Sequence, residues 1–346
     1  MPARFPVFDL HCDTADRLAW HAIDAEFIAA TGMPAYGPGD ADAPEEVRDL
    51  AQNRCHVSLE RIGDTRWAQC FACFIPDELS PEQAVRFYGQ VASNLDEQLA
   101  RHAERIVDAR DAAAVRAVLE GGASTPHVAA VRTIENARLF AADLGLVEGL
   151  SRDGLLMASL TWNAAGPLAS GVDGAGGLTP LGRTVLAELE RCGVALDISH
   201  LNDEGTHDAL ARSTRPVAAS HSNSRAVCNH PRNLTDRQFL EVCETGGVVG
   251  LNYCQDFLVE EGSSLPLGSV TFDHVAAHIE HWLELGGEDV IALGGDFDGA
   301  DVPVCIATAA EMPSFQELLL ARFGETVTHK LCYENALSFF ERVARV

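Results

Sequence analysis

Six residues that can bind metal ions or transfer protons stand at the ends of short apolar stretches: His11, Asp13, Glu135, His200, His221 and Asp296. Imidazole nitrogens and carboxylate oxygens together suit divalent transition metals, Zn²⁺ among them. His11 and Asp13 are two residues apart, so on a strand both side chains point to the same side. For His200 or His221 taken alone, a hydrogen-bonded core histidine is the simpler interpretation. Glu135 is less easily explained, because a lone buried carboxylate needs a cation or a donor.

Three histidines and three carboxylates that converge on one place could hold two divalent cations. If only five protein side chains bind them, one carboxylate must bridge the two ions. A carbamylated lysine often takes that place, but the only lysine is Lys330, near the C-terminus, so Glu135 is the candidate bridge. Two such ions lower the pKa of a bound water molecule and polarise a carbonyl. The expected chemistry is hydrolysis through a metal-bridging hydroxide.

Eight short, mostly apolar segments are predicted to be the strands that position these residues. They are residues 7–13, 68–75, 127–135, 155–163, 194–200, 217–221, 246–253 and 290–296. Each is separated from the next by enough chain for a helix, and Thr179-Pro180 and Thr235-Asp236 are typical helix starts. Such alternation predicts a parallel sheet covered by helices, and eight units fit an α/β fold of the (β/α)₈ TIM barrel type. A doubly wound sheet is the alternative that the strand count leaves open.

A barrel would bring the polar residues together, because the C-terminal ends of its strands meet around one mouth. Three long loops rich in Gly, Pro and Ala follow predicted strands and should lie on the same rim: residues 31–46, 164–180 and 255–269. No linker or internal repeat interrupts the pattern. We therefore expect one catalytic barrel domain over residues 1–346.

The charge of the chain limits its partners. There are 25 Lys and Arg against 51 Asp and Glu, which gives a formal net charge of −26. An acidic surface repels nucleic-acid phosphates and anionic membranes, so neither is expected as a partner. The N-terminus has no apolar signal-peptide core, and no apolar stretch approaches the length of a membrane span. Ten cysteines without such a signal favour reduced thiols and a cytoplasmic protein.

Several motifs occur in a fixed order along almost the whole chain. They are DLHCDTA at 9–15, the strand that ends at Glu135, D-x-S-H at 197–200, S-H-S at 220–222 and G-G-D-F-D-G at 294–299. In this order they resemble the membrane dipeptidase (renal dipeptidase) family of binuclear zinc peptidases. The resemblance implies a barrel of the metal-dependent hydrolase type with two divalent metal ions, Zn²⁺ being the expected metal. One ion would be held by His11, Asp13 and Glu135, and the other by Glu135, His200 and His221.

The same resemblance implies roles for residues that do not bind metal. Asp296 occupies the place of the acid–base aspartate, and Asp298 is the alternative because both could face the mouth. Arg232 occupies the place of the arginine that grips the C-terminal carboxylate of the substrate, a task that suits the guanidinium fork.

One departure from the family concerns the end of the fourth predicted strand. Mammalian members have a histidine there that acts on the scissile carbonyl, whereas this sequence has Trp162 followed by Asn163. Trp162 could form a wall of the pocket, and the Asn163 amide could donate to an oxyanion. We also assign Tyr253, at the end of the seventh predicted strand, to the substrate-binding residues.

The most favoured function is therefore hydrolysis of small dipeptides, including L,D-dipeptides, by a dizinc metallopeptidase. Two alternatives stay open. One is an amide hydrolase acting on N-acyl amino acids or related small amides, and the other is a metal-binding barrel without catalysis. The resemblance also suggests a homodimer.

Overall fold

The computed structural model describes residues 3–27, 48–122 and 126–344. Its strands, in chain order, are β1 Val7–Cys12, β2 Trp67–Phe74, β3 Ile106–Asp108, β4 Val128–Glu135, β5 Leu155–Ser159, β6 Ala195–Asp197, β7 Ala218–Ala219, β8 Val248–Leu251 and β9 Ile291–Leu293. All pairs are parallel, in the order β2-β1-β9-β8-β7-β6-β5-β4, and pairing of β2 with β4 closes the ring. The predicted (β/α)₈ barrel is confirmed, and the doubly wound sheet is wrong.

The structure has one strand more than the eight that the sequence predicts, and this additional strand is β3. It has three residues and pairs with β4 at Val128–Ala130, outside the closed ring. Its sequence, Ile-Val-Asp, is too short and too polar to stand out as an apolar run, and two of its residues are only half-buried. The loop predicted at 31–46 lies outside the described residues.

Helices cover the barrel between successive strands. Their bounds are Thr14–Ala19, Leu59–Ile62, Pro81–Arg101, Ala112–Leu119, Gly145–Arg152, Pro180–Cys192, Asp203–Arg212, Asp236–Glu244, Gln255–Leu258, Phe272–Glu284, Met312–His329 and Asn335–Ala344, with a π turn at Lys330–Glu334. The two predicted helix starts are confirmed, since the Thr179 and Thr235 hydroxyls cap the helices that follow them. No helix among the described residues combines the length and apolarity needed to cross a membrane.

The interior of the barrel is filled by side chains. Every strand of the ring contributes a buried residue to one cluster, which includes Leu10 of β1, Val131 of β4 and Met157 of β5. Phe339 and Phe340 of the last helix join the same cluster. A packed interior of this kind leaves only the mouth open for a ligand.

The strand β1 contains a bulge just before the mouth. Its parallel register with β2 shifts between Asp9 and Cys12. The bulge interrupts the alternation of side chains, so Leu10 packs in the interior cluster while the next residue, His11, also faces the mouth. The Asp9 carboxylate accepts the backbone N–H groups of His11 at 3.1 Å and of Gly295 at 3.0 Å. Burial raises the pKa of Asp9 to about 6.

Two glycines allow the backbone of neighbouring strands to approach closely beneath the mouth. A Cβ atom on Gly294 would lie 1.9 Å from the Ser220 carbonyl oxygen and 3.0 Å from the Gly250 Cα. Both contacts are with backbone atoms, which cannot move aside without shifting the ring. Only glycine fits at this point.

We therefore expect Gly294→Ala to lower the free energy of unfolding by about 1–3 kcal/mol or more, as overpacking does. The control is Gly89→Ala, in the exposed part of helix Pro81–Arg101, where a new Cβ meets nothing within 4 Å. That change should stabilise the helix by about 0.5–1 kcal/mol. Denaturant titration of both variants measures the difference, and wild-type stability in Gly294→Ala would contradict the close approach.

Candidate metal centre

The predicted ligands meet at the C-terminal mouth of the barrel. Glu135 is the last residue of β4, and His11 lies in β1 with Asp13 just after it. His200 and His221 lie in the turns that follow β6 and β7, because these strands end earlier than predicted. The topology thus brings together side chains that are up to 210 residues apart in sequence.

Glu135 lies between the histidines. Its Oε2 is 3.1 Å from His11 Nε2, and its Oε1 is 2.8 Å from His200 Nε2. His200 Nε2 is in turn 2.9 Å from His221 Nε2, and His11 Nε2 is 3.7 Å from Asp13 Oδ2. One oxygen of Glu135 therefore contacts His11 and the other contacts His200, which is the arrangement that a bridging ligand requires.

The donor atoms fit divalent metal ions. Two ligands bound to one Zn²⁺ at about 2.0–2.1 Å in a tetrahedral arrangement lie about 3.3 Å apart, close to the separations observed here. His11 Nε2 and Asp13 Oδ1 are buried without a hydrogen-bond partner among the described residues. His11, Glu135 and His221 offer donor atoms within 4.8 Å of one another, and so do His11, Asp13 and Asp296. Buried donors that are left unpaired are what a bound cation would satisfy.

The pKa shifts of two of the three histidines suit metal binding, whereas the Asp13 and Glu135 carboxylates raise the pKa of His11 well above its usual value despite its burial. Burial lowers the pKa of His200 and of His221, and the nearby Arg232 guanidinium lowers both further, so these imidazoles are neutral as ligation requires. Burial raises the pKa of Asp13 to about 6, and the neighbouring Glu135 and Asp296 carboxylates add to this effect. A divalent cation would relieve that repulsion between carboxylates.

A buried serine and aspartate orient His221. His221 Nδ1 is 2.7 Å from Ser220 Oγ, and Ser220 Oγ donates to Asp197 Oδ2 at 2.5 Å. The serine proton goes to the aspartate, so the serine oxygen accepts the proton on His221 Nδ1. The Nε2 atom of His221 is then free of a proton and can bind a metal.

Asn163 orients His200 in the same way. Its Oδ1 is 2.9 Å from His200 Nδ1, and an amide oxygen can only accept, so Nδ1 carries the proton. The sequence predicts that this residue contacts the substrate. Asn163 does line the cavity described below, but its carbonyl oxygen is engaged by the imidazole.

Asp296 and Asp298 differ in what surrounds their carboxylates. Both Asp298 oxygens are engaged, since Oδ2 accepts the Thr14 hydroxyl and Oδ1 accepts the His56 backbone N–H at 2.6 Å. Asp296 Oδ2 accepts the Asn252 side-chain N–H at 2.9 Å, while Oδ1 lies 4.0 Å from His11 Nε2. Asp296 therefore keeps one oxygen facing the ligand cluster, and Asp298 does not.

The backbone at the mouth is unusual. Asn136, His200, Asp296 and Asp298 all have positive φ, between 56° and 73°. Non-glycine residues rarely adopt this left-handed conformation, and its occurrence at strand ends is typical of functional sites. A Cβ atom on Gly299 would lie 2.0 Å from Asp13 Oδ2 and 2.4 Å from Asp296 Oδ1, so glycine is required there for both carboxylates to fit.

A cavity of about 530 Å³ opens above these residues. Glu135, His200, Asp296 and Arg232 line it, and so do aromatic residues that are not among the residues predicted from the sequence. These are Trp20, Phe74, His230 and Phe257. Only their position at strand ends or in the loops of the rim could have indicated them. The Trp162 ring packs edge-on against Phe74, with ring centroids 5.1 Å apart, and forms part of the same wall.

The structure does not bring Tyr253 to this cavity. Tyr253 is fully buried, and its ring packs against Phe297 and Phe315 in the core. The residue lies two positions beyond the end of β8, and its burial in the core keeps it out of the lining of the cavity.

Comparison with known proteins agrees with this architecture. A family model described as membrane dipeptidase, peptidase family M19, matches residues 1–346. A metallopeptidase from Rhodobacter sphaeroides, solved with a phosphinate mimic of the dipeptide L-Ala-D-Ala, is 29% identical with a TM-score of 0.82, covering 98% of this chain and 99% of its own. A second solved structure, the metallopeptidase dipeptidase AC of family M19, is 30% identical with a TM-score of 0.82 and covers 98% of both chains.

Curated sequences match over shorter stretches. An uncharacterised Klebsiella pneumoniae protein is 34% identical over 194 residues, which make up 53% of this chain and 70% of that protein. An uncharacterised dipeptidase of Schizosaccharomyces pombe is 33% identical over 208 residues, 58% of this chain and 49% of that protein. The matched region thus spans about half the length of the yeast relative.

The contact between Asn163 and His200 yields a prediction about metal affinity. Asn163→Ala removes the acceptor for His200 Nδ1–H, and loss of such an outer partner typically weakens metal binding by about 10–100-fold. Chelator competition with elemental analysis of the purified protein should show one ion bound more weakly and the other unchanged. Asn163→Asp, which keeps an acceptor oxygen, is the control. Wild-type affinity for both ions in Asn163→Ala would show that the amide has no such role.

Proposed function

Because this chain belongs to the membrane dipeptidase family, the metallopeptidases of family M19, we propose that its site hydrolyses free dipeptides with two divalent metal ions. Metal-dependent hydrolysis of dipeptides is the activity of its family and of its 30% identical structural neighbour. The observation that carries the proposal is Glu135, whose two oxygens contact His11 and His200 at 3.1 Å and 2.8 Å.

The ligands of the two ions are proposed from this arrangement. His11, Asp13 and Glu135 would hold one ion, and Glu135, His200 and His221 the other. Imidazole nitrogen and carboxylate oxygen donors suit Zn²⁺. When bound, two such ions lower the pKa of a water molecule and polarise the carbonyl of the scissile amide.

Asp296 is proposed as the residue that moves the proton. Its Oδ1 faces the ligand cluster, while Asn252 holds Oδ2 at 2.9 Å and so fixes the plane of the carboxylate. Oδ1 can accept a proton from the attacking water and return it to the nitrogen of the departing amine. Such transfer by a positioned carboxylate is general acid–base catalysis.

Arg232 is proposed to bind the C-terminal carboxylate of the dipeptide. It lines the cavity, and no carboxylate of the described residues forms an ion pair with it. A guanidinium can bind a carboxylate through two parallel N–H donors, which fixes orientation as well as position. The centroids of the Trp162 and His200 rings are 6.3 Å apart. Trp162 would close the side of the pocket where mammalian members of the family have a histidine.

We also propose the cellular location, the domain organisation and the oligomeric state of the protein. The ten cysteines are all free in the structure, which supports placement in the reducing cytoplasm. The family match from residue 1 to residue 346 supports one catalytic domain over the chain. A homodimer is proposed by analogy with the family.

The substrate class is tested with a panel assayed on metal-loaded protein. The panel holds L,L-dipeptides, L,D-dipeptides such as L-Ala-D-Ala, and N-acyl amino acids. We expect turnover of dipeptides of both kinds, because both carry the C-terminal carboxylate that Arg232 would bind, and weak turnover of N-acyl amino acids, which lack the free amine of a dipeptide. Preferred turnover of N-acyl amino acids would favour the alternative amide hydrolase, and no turnover would favour a non-catalytic barrel.

A second test concerns the proton carrier. Asp296→Asn keeps the size of the side chain but cannot accept a proton, so kcat should fall by about 10²–10⁴-fold while metal content is retained. Asp298→Asn is the matched control and should cost kcat much less, because both Asp298 oxygens are held by Thr14 and His56. Near-normal kcat in Asp296→Asn with collapse in Asp298→Asn would mean that the wrong aspartate was chosen.

A further inference from the structure

Arg232 is a buried cation that forms no ion pair with any carboxylate in the part of the chain that the structure describes. The residue is 5% exposed, and its Nε and Nη2 atoms have no hydrogen-bond partner among the described residues. Burial lowers the pKa of the Arg232 guanidinium, which nevertheless stays charged at neutral pH. Since an unpaired buried charge is costly, another interaction must stabilise and orient this guanidinium before substrate binds.

The face of an aromatic ring provides that interaction. The Arg232 Cζ atom lies 5.4 Å from the centroid of the Phe257 ring, within the range of a cation–π contact. Arg232 lies in the segment after β7, whereas Phe257 belongs to helix Gln255–Leu258 after β8. A ring face attracts positive charge without using N–H donors and without neutralising the guanidinium. A carboxylate in the same place would compete with the substrate.

The two segments that carry this contact are bound to each other by several interactions. The His230 ring packs on Phe257 with centroids 4.5 Å apart, and the Arg232 backbone N–H donates to His230 Nδ1 at 3.2 Å. The Asn233 side chain donates to the carbonyl oxygens of Phe257 and Cys228, both at 2.9 Å. The ring is therefore held in place by the segment that it supports.

We propose that Phe257 is a positioning residue that holds the Arg232 guanidinium ready for the C-terminal carboxylate of the substrate. The inference rests on the proposed function, because it needs a substrate with that carboxylate. Phe257 acts before the chemical step, so its loss should raise KM and spare kcat. The effect should also depend on Arg232 being present and on the substrate being anionic.

A double-mutant cycle with two substrates tests this. Phe257→Leu keeps an apolar side chain but removes the ring face, and should raise KM for L-Ala-D-Ala by about 3- to 30-fold. KM for the C-terminal amide of the same dipeptide should change less than about twofold, since the amide lacks the charge. Phe257→Tyr keeps a ring and should restore a KM near the wild-type value. In the Arg232→Ala background, Phe257→Leu should raise KM no further, because the two residues act as one unit.

The matched control is Phe74→Leu, which alters another phenylalanine of the same cavity. Phe74 packs against Trp162, so its loss should affect the dipeptide and the amide equally. Additive effects of Phe257→Leu and Arg232→Ala, or equal losses on dipeptide and amide, would overturn the proposal and make Phe257 an ordinary lining residue.

A binding measurement separates failure of this inference from failure of the proposed function. If wild-type protein turns over neither substrate, the proposed function is wrong. Calorimetric titration with a phosphinate mimic of L-Ala-D-Ala and with its amide then tests Phe257 without turnover. Weaker binding of the carboxylate form alone to Phe257→Leu supports the proposal. Equal binding to both proteins, or no binding to either, refutes it.

Discussion

The structure of the mouth depends on the burial of one carboxylate. Glu135 is 4% exposed and would be strongly destabilising there without positive charge or hydrogen-bond donors. The His11 imidazole reaches Glu135 from β1 and the His200 imidazole reaches it from the turn after β6, and these two neighbours hold the pKa of Glu135 well below its usual range despite its burial. A carboxylate in this state is an anion in the interior. It is compatible with folding only because the ring is closed and the imidazoles are in place.

Barrel closure delivers Glu135 to that point. The strands β2 and β4 pair without interruption from Trp67 opposite Val128 to Phe74 opposite Glu135, the longest register in the ring. Phe74 therefore stands beside Glu135 and forms a wall of the cavity above it. The same pairing closes the sheet, so the element that completes the fold also places the central ligand and one side of the pocket.

Rigidity at the mouth comes from interactions one layer behind the ligands. The Asp197 and Ser220 pair holds His221, the Asn163 amide holds His200, and Asn252 holds Asp296. The left-handed backbone at His200 and Asp296 stores strain that the surrounding contacts must balance. Such support fixes imidazole tautomers and carboxylate planes in advance, so that little reorganisation is needed when metal or substrate arrives. Around Arg232 the arrangement differs, since the guanidinium lies over the Phe257 ring and its Nε and Nη2 atoms have no hydrogen-bond partner among the described residues.

The sequence alone determined the barrel and the group of residues at its mouth. Short apolar runs encode strands locally, and a polar residue after such a run must lie at the end of a strand, so His11, Glu135 and His221 could be predicted from pattern. The resemblance to a family supplied the division of ligands between two ions and the roles of Arg232 and Asp296.

Contacts between loops were decided only by the tertiary structure. The engagement of Asn163 with His200, the use of both Asp298 oxygens, and the packing of Phe257 on Arg232 join residues 25 to 284 positions apart. Tyr253 shows the same limit, because its direction depends on how the chain turns after β8. Local sequence specifies which residue ends a strand. It does not specify what that residue meets across the mouth, since the neighbour is chosen by closure of the ring and by loop conformations that no local pattern encodes.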